Sequence, residues 1–564
     1  MQAFVGIAEA LRSMARTHGD TAATVVPRGA RAGLAAATEM RYRIATFAEL
    51  DARSEAIAAG LAELGVVPGT KVATMVPPTE DFFALIFALL KAGAVPVLVD
   101  PGIGVPALKA CLGEAAPAAF IGVPKAHLAR AVLGWCPGAA LAVRVGGGAL
   151  GALIPRSGAS LAVVEARGRA RVASGEHRAV VVGADDLAAV LFTSGSTGTP
   201  KGVEYVHRNL AAQVDLIRAA YDIRPGTVNV ATFPPFALFG PALGMTTIVP
   251  RMDPTKPAKV DPREVRDAVV RFGAMMMFGS PALLDTVSRW GERTGETLPT
   301  MATVISAGAP MPPRVLRRLL AMLPVGAEIY TPYGATECMP VTNVRSSEIL
   351  ALTQTRAGIC VGFPASAVDV GVIRITDEPI AALGAGDFVR PGDVGEVVVR
   401  GPNVTRAYHR RDEATRLAKT TWDGALAHRM GDLGWFDADG RLWFAGRKGH
   451  RVETAAGTLF SVPVEEVFNR HPSVYRSALV GVGPAGARMP VLWVELEPGV
   501  RATPRLAESI LRAADDDAEN TGAARVHTVL FHRGFPVDIR HNSKIRREDL
   551  AVEATRRLGA GVTP

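Results

Sequence analysis

A chain of 564 residues is too long for one hydrophobic core, and domains usually run to about 100–200 residues, so several are expected. Hydrophobic residues at 48% and charged residues at 21% exclude disorder on a large scale. The formal charge of +8 is small for this length, and basic clusters such as Arg540 to Arg547 lack interleaved aromatics, so no nucleic-acid partner is expected.

In chain order, MQAFVGIAEALRSMARTHGD reads as an amphipathic helix. It has neither the continuous apolar core nor the small-residue cleavage site of a signal peptide. Phe47 to Leu64 has helical spacing and stops at Gly65. Lys71 to Val76 is a short strand, Asp81 to Ala92 a helix, and Val95 to Val99 a buried strand ending at Asp100-Pro101. The most apolar run, Phe82 to Leu90, breaks at Lys91, far short of a membrane span. This rhythm predicts α/β layers with parallel strands. The Ala/Gly-rich region from about Ala139 to Gly183 reads as surface elaboration. The rhythm returns at Asn229 to Phe233, Ala274 to Phe278, Thr303 to Ser306 and Glu328 to Thr331.

From about Val368 the texture changes: GEVVVRGPNV and GRLWFAGR predict short strands joined by turns. After Gly449 come a helix at Val464 to Arg470, strands at Ser477 to Val482 and Val491 to Leu496, and a helix at Thr503 to Asp515. The expected fold class is α/β. A large N-terminal domain, residues 1–448, holds α/β layers with parallel sheets and a β-rich subdomain over about 368–448. A small mobile α+β lid, residues 449–564, follows a hinge near Gly449. The four cysteines show no CxxC pair and no histidine-rich partner spacing, which argues against a zinc site or a disulfide framework. A soluble cytoplasmic protein without a transmembrane segment is expected.

The chemistry concentrates at Leu191 to Leu210, LFTSGSTGTPKGVEYVHRNL. An apolar strand stops at Thr193, and Ser194, Gly195, Ser196, Thr197, Gly198, Thr199, Pro200, Lys201 and Gly202 follow with no bulky apolar side chain. Glycine lets the backbone approach a ligand closely, successive N–H groups can form an anion-binding nest, and hydroxyls and a lysine add donors and charge. This predicts a phosphate loop. It is not the Walker type, because Lys201 is followed by Gly202 rather than Ser or Thr. A flexible Ser/Gly linker is the plainer reading, weakened by the strand before and the helix-like Asn209 to Tyr221 after.

TSGSTGTPKG strongly resembles the phosphate loop of the AMP-forming adenylating superfamily: acyl-CoA synthetases, adenylation domains and luciferases. Further segments follow in that family's order over nearly the whole chain: LKAGAVPVLVDP, SAGAPM, YGATE, MGDLGWFDADGRLWFAGR and RHNSKIRRE. The resemblance implies ATP and Mg2+ as cofactors. It places Thr193 to Gly198 and Lys201 at the phosphates. Tyr333 stacks against the adenine, Gly308, Ala309 and Pro310 form a flat backbone wall there, and Gly334 belongs to the same nucleotide site. Thr336 and Glu337 sit at the phosphates, with Glu337 a Mg2+ ligand because a hard cation prefers carboxylate oxygen. Asp432 and Arg447 belong to the ribose region. Lys544 is the late catalytic lysine, meeting charge at the α-phosphate in the transition state. By residue type alone these are equally a turn pair, a cap aspartate, a hairpin charge, a core tyrosine and a solvated lysine. His207 is expected to be structural.

The hinge position, usually Asp or Lys in acyl-CoA ligases, is Gly449, and Glu453 stands where a lysine is usual. FPPFALFGPALG places Phe236, Phe239 and Gly240 in the substrate pocket, with Met275 to Phe278 as an apolar wall. This favours a long alkyl chain over an amino acid. YGATECMPV, GHRVETAAGTLF and FPVDIRHNSKIRRE resemble the β-lactone synthetases of bacterial long-chain olefin biosynthesis. The implied reaction is adenylation of a 2-alkyl-3-hydroxy fatty acid, followed by attack of its own hydroxyl and release of AMP. The implied partners are that acid and an assembly with other olefin-biosynthesis enzymes. His450 and Glu453 are candidate bases for the hydroxyl. A long-chain fatty-acyl-CoA ligase, a fatty-acyl-AMP ligase and a catalytically silent nucleotide-binding protein are the competing readings.

Overall fold

The computed structural model describes residues 6–27, 42–193, 200–352, 358–517, 521–537 and 545–559. The phosphate-loop residues Ser194 to Thr199 and the late lysine Lys544 lie outside the described residues, as does the side chain of Thr193.

Three sheets build the larger part of the chain. An eight-stranded sheet runs in the order 407–408, 201–206, 187–193, 95–98, 71–75, 119–122, 141–144, 159–160. The strand Lys201–Val206 is antiparallel to both of its neighbours, and the rest of the sheet is parallel. A seven-stranded sheet carries the predicted strands as Val228–Ala231, Met276–Phe278, Thr303–Ile305 and Glu328–Tyr330, all parallel. Their short, continuous apolar runs suit strands covered on both faces. The third sheet is antiparallel apart from one short edge pair and contains Gly395–Arg400, Ala425–Phe436 and Leu442–Arg447. It begins at Tyr333–Ala335, earlier than the texture change at Val368 suggested.

Local signals explain the helix ends. Helix Phe47–Glu63 opens on a capping box: Glu49 N–H donates to Thr46 Oγ1 at 3.2 Å, and Thr46 N–H donates to Glu49 Oε2 at 2.9 Å. Such a cap contributes about 1 kcal/mol. The helix stops at Gly65, whose φ of 94° suits glycine.

The reading of Ala139 to Gly183 as surface elaboration is corrected. Leu141–Arg144 and Ala159–Ser160 extend the eight-stranded sheet, and helix Leu161–Ala173 packs on Phe47–Glu63. Small residues let the two backbones touch. A Cβ on Gly168 would lie 1.8 Å from Ala56 O, and one on Gly60 would lie 2.0 Å from Val164 O. The Ala/Gly bias that looked like loop composition is a close helix–helix contact.

The C-terminal part has its own core. Strands Val474–Val482, Met489–Leu496 and Thr528–Phe531 form a sheet, with helices Ser461–Asn469 and Arg547–Leu558 against it. Trp493 is fully buried and donates to Leu550 O at 3.0 Å. Gly449 sits inside the 3-10 turn Lys448–His450, a conformation open to any residue. Acids of the preceding sheet region hold both sides of that turn: Lys448 Nζ lies 3.2 Å from Glu396, and Arg451 lies 2.8 Å from Asp377. Among the described residues, no helix is long and apolar enough to cross a membrane.

Candidate active site

The sequence MGDLGWFDADGRLWFAGR folds as a hairpin, and its turn sets the site. Asp437 accepts the N–H groups of Asp439 and Arg441 at 3.0 and 2.9 Å and the indole N–H of Trp443 at 2.9 Å, while Gly440 takes φ 83°. The resulting register makes Asp432 and Arg447 cross-strand partners. Arg447 Nε lies 2.9 Å from Asp432 Oδ1, and Tyr333 O–H donates to Asp432 Oδ2 at 2.7 Å. Asp432 is 3% exposed. The Asp432 carboxylate raises the Arg447 pKa, and burial followed by the same carboxylate pushes the Tyr333 phenol well above its usual value. Three residues expected around one nucleoside therefore meet, and Tyr333 does so through its hydroxyl.

A second group lies at the start of the antiparallel sheet. Thr336 and Glu337 occupy the turn between Tyr333–Ala335 and Cys338–Asn343. Tyr205 O–H donates to Thr336 O, and Thr405 donates to Glu337 O through both N–H and hydroxyl, each at 2.9 Å. Tyr408 O–H donates to Glu337 Oε1 at 2.6 Å, and the Tyr408 ring lies 4.9 Å from Lys201 Nζ. Burial and the Glu337 charge raise the Tyr408 pKa. Thr193 pairs with Lys201 across the hairpin, which brings together the two ends of the segment expected to hold phosphate. Sequence reasoning missed Tyr408, whose partner lies 71 residues away.

Lys419 was missed as well. It is buried, and its Nζ lies 3.4 Å from Thr405 Oγ1. Desolvation lowers its pKa to about 8, partly offset by Cys338 and Glu337. Keeping this ammonium charged at pH 7 costs about 3 kcal/mol relative to water. A depressed folded-state pKa means that the unfolded chain binds the extra proton between about pH 8 and the ordinary lysine value, so stability rises with pH across that window. Lys419→Met is therefore expected to raise the melting temperature at pH 7, with the gain shrinking from pH 8 to pH 10. Thermal melts of both proteins across that range check this.

Lys201, Tyr333, Thr336, Glu337, Tyr408, Asp432 and Arg447 line one cavity of about 2350 Å3, which also touches Gly308, Ala309, Pro310 and Gly334. Phe236 stacks on Phe278 at 4.4 Å and 22° along its apolar wall, and Phe239 joins them. Gly240 does not line it. Gly240 packs against the strand Thr246–Ile248, where a Cβ would lie 1.8 Å from Thr247 Oγ1, so its smallness serves helix–sheet contact. The expected methionine wall is likewise corrected. Met276 and Met277 fill the cores on the two faces of their sheet, Met275 is 44% exposed, and only Phe278 reaches the cavity.

His207 is buried, and desolvation lowers its pKa, which suits the structural role expected. His450 lines the cavity, and its Nε2 lies 3.2 Å from Glu548 Oε1. Glu453 is held by Arg451 at 3.0 Å and does not line the cavity. On the C-terminal side Ile545 and Arg547, which follow Lys544 in the chain, do line it. Among the described residues no group of three or more His, Cys, Asp or Glu side chains could hold a metal ion by itself. Glu337 is a single carboxylate with one oxygen engaged by Tyr408. That donor set fits a cation that takes its remaining ligands from phosphate oxygens.

The aspartate–arginine pair and the apolar-walled cavity sit on the fold of adenylate-forming ligases. The chain belongs to the AMP-binding enzyme family, whose model matches residues 12–409, and ligases of this family use ATP. It is 49% identical over 568 residues to the olefin beta-lactone synthetase of Xanthomonas campestris pv. campestris, covering 98% of each chain. It is 48% identical to the protein of the same name from Stenotrophomonas maltophilia, again over 98% of both. The anthranilate CoA ligase AuaEII, solved with anthranoyl-AMP, shares the fold at 19% identity and a TM-score of 0.78, with 100% of this chain and 99% of that one covered.

Proposed function

We propose that this protein uses ATP to activate a long-chain 2-alkyl-3-hydroxy fatty acid as its adenylate and then closes that adenylate to a β-lactone. The carrying observation is that one cavity joins the Asp432–Arg447–Tyr333 cluster and Glu337 to the Phe236–Phe278 wall. The names of the two relatives near half identity support the choice of second step.

In this reading Asp432 accepts the ribose hydroxyls, with Arg447 and Tyr333 fixing the direction of its carboxylate. Gly308, Ala309 and Pro310 present backbone to the adenine. Lys201 meets the phosphates. Glu337 would hold Mg2+, which would supply positive charge to offset that of the triphosphate. The acid's carboxylate oxygen attacks the α-phosphorus, and the bond to pyrophosphate breaks. The 3-hydroxyl oxygen then attacks the acyl carbon, the bond to AMP breaks, and the hydroxyl proton is released. Because the nucleophile is already tethered to the acyl carbon, it acts at high effective molarity and no CoA is needed. The protein is read as acting in the cytoplasm, in assembly with other enzymes of olefin formation.

Incubation with ATP, Mg2+ and a 2-alkyl-3-hydroxyalkanoic acid, without CoA, tests this. AMP and β-lactone are expected. AMP and thioester appearing only on addition of CoA would replace the lactone reading with a CoA ligase. No nucleotide turnover with any acid would point to a silent nucleotide-binding protein.

A further inference from the structure

The cavity has more apolar wall than one acyl chain uses. At about 2350 Å3 it exceeds the roughly 300–1,000 Å3 of an ordinary small-molecule site, even with room set aside for a nucleotide. One apolar wall is Phe233, Phe236 and Phe278, at the ends of the parallel strands Val228–Ala231 and Met276–Phe278. A second belongs to a different element. Helix Glu80–Lys91 turns Phe82, Ile86 and Leu90 to the cavity. Their spacing of four makes a single stripe along the helix, about 12 Å from end to end. Ile7, from the N-terminal helix, lines the cavity as well, and the two helices are in contact. All four side chains are under a tenth exposed and belong to the main apolar core, so each turns only a small part of its surface to the cavity.

We infer that the Phe82–Ile86–Leu90 stripe is a second alkyl subsite. It receives one of the two hydrocarbon branches of the substrate while the Phe236–Phe278 wall receives the other. This rests on the functional reading above and adds to it. Branches on adjacent carbons of one acid diverge from a single carboxylate, so they need two apolar walls that flank one nucleotide site. The helix stripe and the sheet-end phenylalanines are two such walls on one cavity. The helix wall is long enough for an alkyl chain and carries no polar side chain that would demand a partner.

The test uses the full-length protein, two acid series and release of pyrophosphate as the readout. One series varies the 2-alkyl branch at a fixed 3-alkyl chain, and the other does the reverse. In the wild type, each methylene added to either branch should raise kcat/KM by about fourfold until the wall is filled, equivalent to about 0.8 kcal/mol. Ile86→Trp should abolish that gain for one series and preserve it for the other, and the short-branched acid should still be turned over. Ile86→Ala should shift the length optimum of the same series upward, which covers the case where tryptophan prevents folding. Equal loss in both series, or unchanged length dependence with both variants, would overturn the subsite. Because pyrophosphate reports only the first half-reaction, the result does not depend on whether lactone or thioester follows. Absence of release with every acid would overturn the adenylation reading itself.

Discussion

Lys544→Ala is expected to reduce pyrophosphate release by about 10^3-fold, close to loss of turnover, while ATP affinity stays within about tenfold of wild type. The lysine lies in RHNSKIRRE, outside the described residues, but both ends of its segment are pinned. Val537 and Ile545 form an antiparallel bridge, and Arg546 N–H donates to Pro536 O at 2.9 Å. Arg547 grips Glu465 with two nitrogens at 2.7 to 3.1 Å. Ile545 and Arg547, which follow the lysine in the chain, line the cavity. A positive charge used where negative charge builds on the α-phosphate changes kcat much more than ground-state binding. Single-turnover pyrophosphate release and equilibrium ATP binding separate the two effects. Normal release would remove Lys544 from the site, and loss of ATP binding in proportion to rate would make it a binding residue only.

The parts of this site that were legible in the sequence are those whose geometry is local. The DADG turn sets the hairpin register, so an aspartate and an arginine fifteen positions apart become cross-strand partners, as in the segment MGDLGWFDADGRLWFAGR. The expectation for TSGSTGTPKG also rests on local backbone chemistry, and most of that segment lies outside the described residues. Tyr408 and Lys419 were not legible. Their roles come from a partner far along the chain and from burial, and neither leaves a mark on neighbouring residues. Ala139 to Gly183 misled for a related reason: small residues at a helix crossing and small residues in a loop have the same composition, and only the partner helix distinguishes them. Gly240 and the methionines misled because a short apolar run does not say which of its residues face the core and which face a ligand.

Asp432→Ala is expected to weaken ATP binding by about 10^2–10^4-fold, since hydrogen bonds to a charged group contribute about 1.5–3 kcal/mol each and the proposed site gives Asp432 two ribose hydroxyls. It also leaves the Arg447 guanidinium and the Tyr333 hydroxyl without the carboxylate they share, so a fall in thermal stability accompanies it. The stability loss alone could mimic a binding defect, and a cycle of nucleotides resolves that. Wild type should bind 2′-deoxy-ATP and 3′-deoxy-ATP more weakly than ATP. Asp432→Ala should bind all three alike, because the group that discriminates them is gone. Coupling between residues in contact shows as non-additivity of this kind. Strictly additive losses would mean that Asp432 supports Arg447 and Tyr333 without touching the ribose. The nucleoside would then have to be held by the backbone wall at Gly308 to Pro310 and by the arginine, and Arg447→Lys, which keeps the charge but loses the planar fork, would become the more damaging substitution.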